Sequence, residues 1–157
     1  MIWVIGSNGM LGSEICKQLE KNKMPFIGSD KEVDITKSEC IEKFIRETES
    51  QEYLKANTTK TNINKIKWII NCAAYTAVEK AEEDQELAYQ LNSIGPKNIA
   101  NIARYNGIKL IHISTDYVFG GIGETPFTED MKKNPLGVYG KSKSEGEENI
   151  QNLMTKY

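Results

Sequence analysis

A doubly wound parallel sheet of the α/β class is what this sequence predicts, on three observations. Short apolar runs alternate with longer stretches of helical period, the pattern of parallel strands covered by helices. The first run, MIWVI, passes at once into the glycine-rich GSNGMLG and then into a helical stretch. In that setting glycines let backbone amides approach a phosphate at a helix N-terminus. Asp30 closes the second run 18 residues after Gly12, where a carboxylate would accept hydrogen bonds from an adenosine ribose. Together these describe a Rossmann-type domain of three α/β/α layers, strand order 3-2-1-4-5, with room for one more strand at the end.

Each element follows from its own pattern. Residues 1–5 form the first strand, and residues 10–23 carry Leu11, Ile15 and Leu19 at four-residue intervals, one face of a helix. PFIGSD (25–30) is the second strand and VDI (33–35) a short third. From about Lys37 a helix turns Cys40, Ile41, Phe44 and Ile45 inward. KWIINCAA (67–74) reads as the fourth strand. A long helix follows from Ala81, with a break expected near Gly95 and Pro96, since proline removes a helical donor. IKLIHIST (108–115) is the fifth strand. A turn-rich segment rich in Gly and Pro then leads to the helix that holds Tyr139 and Lys143. The polar stretch 49–65 reads as a surface excursion.

With 157 residues, 39% apolar and 27% charged, the chain is long enough for one domain with a real core. A net charge of −2 without a dense basic run gives no electrostatic case for nucleic acid or an acidic membrane. No segment approaches the ~20 apolar residues of a membrane span. Cys16, Cys40 and Cys72 lack paired spacing and read as reduced, packed thiols. MIWVIG enters a strand without a basic leader, so a cytoplasmic protein is expected.

Two places carry chemistry. Gly6, Gly9 and Gly12 form a G-x-x-G-x-x-G loop, one residue longer than the commonest dinucleotide fingerprint. Asp30 beside it suits a ribose, although aspartate is also a common turn former and Lys31 next door could equally pair with a 2′-phosphate. Tyr139 and Lys143 stand four residues apart, on one face of a helix. An ammonium there favours tyrosinate over tyrosine, which makes a phenol useful at neutral pH. The same spacing also occurs on solvated helices, so the motif needs company.

Company is present. GSNGMLG, NCAAYTAVEKAE, HISTDYVFGG and NPLGVYGKSKSEGE, in that order over nearly the whole chain, resemble the extended short-chain dehydrogenase/reductases, and within them the dTDP-4-dehydrorhamnose reductases. The resemblance implies NADPH- or NADH-dependent reduction of the C4 ketone of a dTDP-linked 4-keto-6-deoxy sugar, giving dTDP-L-rhamnose for cell-surface polysaccharide. It makes Thr115, Tyr139 and Lys143 the catalytic set: Tyr139 the proton donor, Thr115 a hydrogen-bond partner of the carbonyl, Lys143 the holder of the nicotinamide ribose. It places Gly9, Met10 and Leu11 at the pyrophosphate, Asp34 and Ile35 near the adenine, Ala74, Tyr75 and Thr76 along the dinucleotide, and Ile113 near the nicotinamide. Thr115, Asp116 and Val78 would meet the substrate. It also implies that residues 1–157 are the dinucleotide-binding domain, with a C-terminal sugar-binding domain absent from this chain, and it leaves room for a homodimer.

Rival readings are a nucleotide-sugar epimerase or dehydratase and a non-catalytic subunit resembling the methionine adenosyltransferase β subunit. Dehydratases usually follow the threonine with an Asp-Glu pair, whereas here Asp116 precedes Tyr117. His112, Ser114 and Asp116 alternate along one strand and would not assemble a hydrolytic relay. Glu14 matches a Mg²⁺-binding position in some of these reductases, but its partner carboxylates would come from beyond residue 157, so no metal site is expected here.

Overall fold

The computed structural model describes residues 1–50, 65–121 and 126–154. The expected surface excursion at 49–65 therefore lies mostly outside the described residues, as do positions 122–125 of the turn-rich segment. Four parallel strands form one sheet: β1 (Ile2–Ile5), β2 (Phe26–Ser29), β3 (Trp68–Asn71) and β4 (Lys109–His112), in the order β2-β1-β3-β4. Ile2 pairs with Phe26 on one side and Trp68 on the other, and Trp68 pairs with Lys109. The helices are α1 (Met10–Lys21), α2 (Ser38–Glu49), α3 (Gln85–Tyr89), α4 (Gly95–Tyr105) and α5 (Val138–Met154).

One expected strand does not form. Residues 33–35 run through a bend and into a turn with no strand pairing, so the expected order 3-2-1-4-5 loses its outermost member while the rest of the order stands. The cause is Asp34. Its carboxylate accepts from Thr36 N at 3.0 Å and Thr36 Oγ1 at 2.6 Å, and its carbonyl accepts from Lys37 N. A side chain that satisfies the backbone locally competes with a strand ladder. Val33 and Ile35 are buried all the same, at 6% and 4% exposure, which is why their pattern resembled a strand.

The break in the long helical region also comes earlier than Gly95. Gln90–Ile94 is a π-helical turn that joins α3 to α4 without a gap, and Pro96, which lacks a helical donor, follows just beyond it. Among the described residues no helix is long and apolar enough to cross a membrane, and all three cysteines are free.

By its contacts the chain divides into two compact units, Met1–Ala73 with Asn98–Ile113, and Ala74–Lys97 with Ser114–Tyr157. The first is built on the sheet. Trp3, Val4, Ile5, Ile41, Ile69 and Ile99 are at most 1% exposed. Trp3 stacks on Phe44 of α2 at 4.5 Å and donates its indole N–H to Ser29 Oγ at 2.9 Å, so a large buried ring has its polar atom satisfied. In the second, Ala81, Ala88, Val138 and Tyr139 form the buried cluster, with Tyr75, Val78 and Tyr89 packed against it.

Candidate active site

In the first unit the chain leaves β1 at Ile5 and turns sharply. Gly6 N and Ser7 N both donate to Ser29 O, at 2.8 and 2.9 Å. Gly6 has φ +78°, the left-handed region. A Cβ on Gly12 would lie 2.1 Å from Gly6 O, so only glycine lets the first turn of α1 sit this close to the loop. The helix opens with no acidic residue in its first turn, and Met10 there is 94% exposed. The amides of Met10, Leu11 and Gly12 have no carbonyl partner within the helix, as at any helix start. An exposed, donor-rich, acid-free helix start behind a glycine turn fits a pyrophosphate.

Asp30 is brought to this loop. Its Oδ2 accepts from Asn8 N at 3.0 Å and its Oδ1 from Lys31 N at 2.9 Å. The carboxylate thus braces the loop, which is the turn role that the sequence offered for it. Asp34 stands apart from it: the Thr36 hydroxyl first, then Thr36 N and Lys37, hold its carboxyl below the usual range against partial burial. Ile35 is buried, its carbonyl accepting from Asn98 Nδ2 at 3.1 Å. Ile113 continues the sheet through its N–H to Asn71 O at 3.1 Å.

The second unit holds the hydroxyls and the lysine. Thr115 is extended and caps the short 3₁₀ turn Asp116–Val118. Its Oγ1 accepts from Tyr117 N at 3.3 Å and donates to Asp116 Oδ1 at 3.2 Å. Tyr139 and Lys143 lie one turn apart on α5, 9% and 2% exposed. The helix face they share is packed rather than solvated, the opposite of what an incidental Tyr-Lys spacing would give. The Tyr117 ring meets Tyr139 edge-on at 5.4 Å. A Cβ on Gly140 would fall 2.3 Å from Tyr117 O, and one on Gly146 2.1 Å from Asn92 O. The two glycines of α5 therefore permit the close packing that buries Tyr139 and Lys143. Burial pushes the Lys143 ammonium down to about 8, and the Glu147 carboxylate one turn on acts in the opposite sense.

Ala74, Tyr75, Thr76 and Val78 also belong to this unit. Thr76 is exposed, Ala74 and Val78 half-buried. Tyr75 is fixed at its backbone by Asn92 and at its phenol by Asp84, 2.9 Å away. The residues considered for a hydrolytic relay go to separate partners: His112 Nδ1 to Asn71 Nδ2 at 3.0 Å, Ser114 to Glu147, and Asp116 to Thr115. Glu14 accepts from Gln18 Nε2 at 2.7 Å on the exposed side of α1. Among the described residues no three His, Cys, Asp or Glu side chains gather as a metal site.

This arrangement has a family. The description "RmlD substrate binding domain" matches residues 1–157. The chain belongs to the RmlD family. It is 32% identical over 151 residues to a dTDP-4-dehydrorhamnose reductase of Mycolicibacterium smegmatis, covering 95% of this chain and 41% of that protein. The crystal structure of a dTDP-4-dehydrorhamnose reductase from Clostridium acetobutylicum superposes with a TM-score of 0.83 at 41% identity, covering 99% of this chain and 50% of that one. That from Bacillus anthracis, in complex with NADP, gives 0.83 at 33% identity over 99% of this chain and 50% of its own. The RmlD chain described here thus spans about half the length of the relatives it matches.

Three residues of this RmlD unit escaped the sequence reading. Asn92, fully buried, holds Tyr75 and donates to Ser142 Oγ at 3.1 Å, and Ser142 in turn donates to Tyr139 O. Glu82 accepts from Val138 N at 2.7 Å and so caps α5 from a distance. Glu147 gathers Ser114 and Lys133. A signal existed for the first: Asn92-Ser93 are poor helix formers inside a helical pattern, and such residues usually stay for a hydrogen bond.

Proposed function

We propose that this chain is the dinucleotide-binding part of a reductase that converts the C4 ketone of a dTDP-linked 4-keto-6-deoxy sugar to the alcohol, giving dTDP-L-rhamnose. The observation that carries the reading is the burial of Tyr139 and Lys143 one turn apart on α5. The relatives' names supply the substrate, and the glycine cradle supports a nicotinamide dinucleotide held by Gly6, Gly9, Met10, Leu11 and Gly12, with Asp30 on its ribose side. When bound, the nicotinamide supplies the hydride.

The chain's own residues supply the rest. As the ketone carbon is reduced, negative charge collects on its oxygen. Tyr139 Oη delivers a proton to that oxygen, and Lys143, as an ammonium, stabilises the tyrosinate left behind. Thr115 donates a second hydrogen bond. Its hydroxyl must leave Asp116 to do so, and at 3.2 Å that bond is long for O–H···O. The grip on the nucleotide sugar falls, in this reading, to a domain outside residues 1–157, in line with the share of each relative that the match leaves uncovered.

The test is an assay of the complete gene product with NADPH or NADH and the dTDP-4-keto-6-deoxy sugar, with the product identified by mass spectrometry. Tyr139→Phe should lower turnover by about 100-fold or more and leave cofactor affinity within a few fold. Unchanged turnover in that variant would remove Tyr139 from the mechanism.

A further inference from the structure

Glu147 is the second carboxylate of α5 after Lys143, and both its oxygens are engaged. Oε1 takes the Ser114 hydroxyl and Oε2 the Lys133 ammonium at 3.0 Å, with both ion-pair side chains only about a quarter exposed (24% and 21%). Ser114 immediately precedes Thr115, and Lys133 comes from the segment that leads into α5. Glu147 is also four residues from Lys143, on the same face of the helix.

We propose that Glu147 is a positioning residue for Thr115 and Lys143: it ties the backbone just before Thr115 to α5 and supplies the negative charge that keeps the buried Lys143 an ammonium. The use of that ammonium rests on the reductase reading above; the coupling of the two side chains does not.

The electrostatics have one principal opponent and one principal support. A lysine that is 2% exposed loses its hydration, which favours the neutral amine. The elements packed against α5 bring Lys80, Glu82, Glu86 and Asp116, and the preceding segment brings Lys133. Glu82 is held at Val138 N and Asp116 at Thr115. Among the charges that face Lys143, Glu147 is the one that raises its proton affinity. Lys133 shares that carboxylate and so limits how much of its field Lys143 receives. Removing Glu147 and removing Lys133 must then act on Lys143 in opposite directions. A purely structural brace would not give that pair of signs.

The experiment follows the lysine Cε resonances of the 157-residue chain, labelled with isotopic lysine, across the neutral and alkaline range. In Glu147→Gln, which keeps an oxygen for Ser114, Lys143 should lose its proton at lower pH, so that the neutral amine at neutral pH increases several-fold. In Lys133→Met it should lose its proton at higher pH. Lys109, whose ammonium lies over the Trp68 ring, serves as the reference resonance against which the Lys143 signal is compared. An unchanged Lys143 titration in folded Glu147→Gln, or shifts of the same sign in both variants, overturns the proposal. Should Glu147→Gln fail to fold, a Lys133→Met titration that moves down or stays put overturns it alone. In the complete gene product, Glu147→Gln should bring the alkaline loss of ketone reduction to lower pH. The opposing lysine shifts without any ketone reduction would reject the reductase and leave the Glu147–Lys143 coupling established.

Discussion

Asn92 holds Tyr75 by both sides of its backbone: Oδ1 accepts from Tyr75 N at 2.8 Å and Nδ2 donates to Tyr75 O at 3.0 Å. The same Nδ2 reaches Ser142 Oγ, one residue before Lys143. A side-chain amide carries a donor and an acceptor side by side, so it satisfies both backbone polar groups of Tyr75 beyond the end of β3. The π turn at Gln90–Ile94 carries this residue, and π turns are frequent where a side chain must be aimed.

Asn92→Ala should therefore cost about 2–3 kcal/mol, since it leaves a peptide N–H, a carbonyl and a serine hydroxyl short of partners in a buried place. Urea unfolding of the variant and the parent measures this. A difference within a few tenths of a kcal/mol would mean that water replaces the amide freely.

The sequence showed most of the scaffold and singled out the candidate site residues but not what supports them. Strands at 2–5, 26–29, 68–71 and 109–112 all fall inside predicted runs, because short apolar runs between turn signals suit a parallel sheet. Residues 33–35 misled for the same reason: Val33 and Ile35 are buried without being paired, and apolar pattern reports burial rather than hydrogen bonding. Tyr139 and Lys143 were legible by spacing. Glu147 and Glu82 were not, because a glutamate on a helix is ordinarily solvated and nothing in the linear order reveals that Ser114 or Val138 will come to meet it.

For Asp30, NADH should be accepted, and Asp30→Ala should weaken NADH more than NADPH. Only the cofactor with a free 2′-hydroxyl donates to that carboxylate. Both affinities should also fall somewhat, because Asp30 braces Asn8 N in the glycine loop. Fluorescence titration with the two cofactors separates the effects: a common loss reports the brace, a larger loss for NADH the ribose contact. An NADH affinity indifferent to the change would take Asp30 out of the site.

Lys143 makes stability depend on pH with a definite sign. Its folded pKa, about 8, lies below the 10.5 of a free lysine. Under about pH 8 both folded and unfolded chains hold the proton, and the full penalty of burying the charge applies. Between the two values the unfolded chain still holds a proton that the folded chain has released, so this group's contribution rises with pH. Lys143→Met should accordingly stabilise the fold near neutrality by on the order of 3 kcal/mol, at about 1.4 kcal/mol for each tenfold in proton affinity. That advantage should shrink steadily as the pH climbs through the window. Parallel unfolding curves of parent and variant test it, and a difference that does not change with pH would refute a charge-burial origin.

Binding and turnover should come apart in the 157-residue chain itself. In the proposed reading the pyrophosphate lies on the glycine loop, whose contacts among Gly6, Gly9, Gly12 and Asp30 are local, so calorimetry should detect NADH or NADPH binding, weaker than in a full reductase whose pocket encloses the cofactor. Ketone reduction should be near background. Tyr139 can deliver its proton only to a carbonyl held at hydrogen-bonding distance, and in the proposed division of labour that hold comes from a domain outside these residues. Loss of such positioning removes several kcal/mol of barrier reduction even when every reacting group is present. Substantial reduction of the dTDP-4-keto-6-deoxy sugar by this chain alone would show that it grips the nucleotide sugar by itself. The residues to search would then be those around Thr115, Asp116 and Val78, where the second unit carries its exposed polar surface beside Tyr139's cluster.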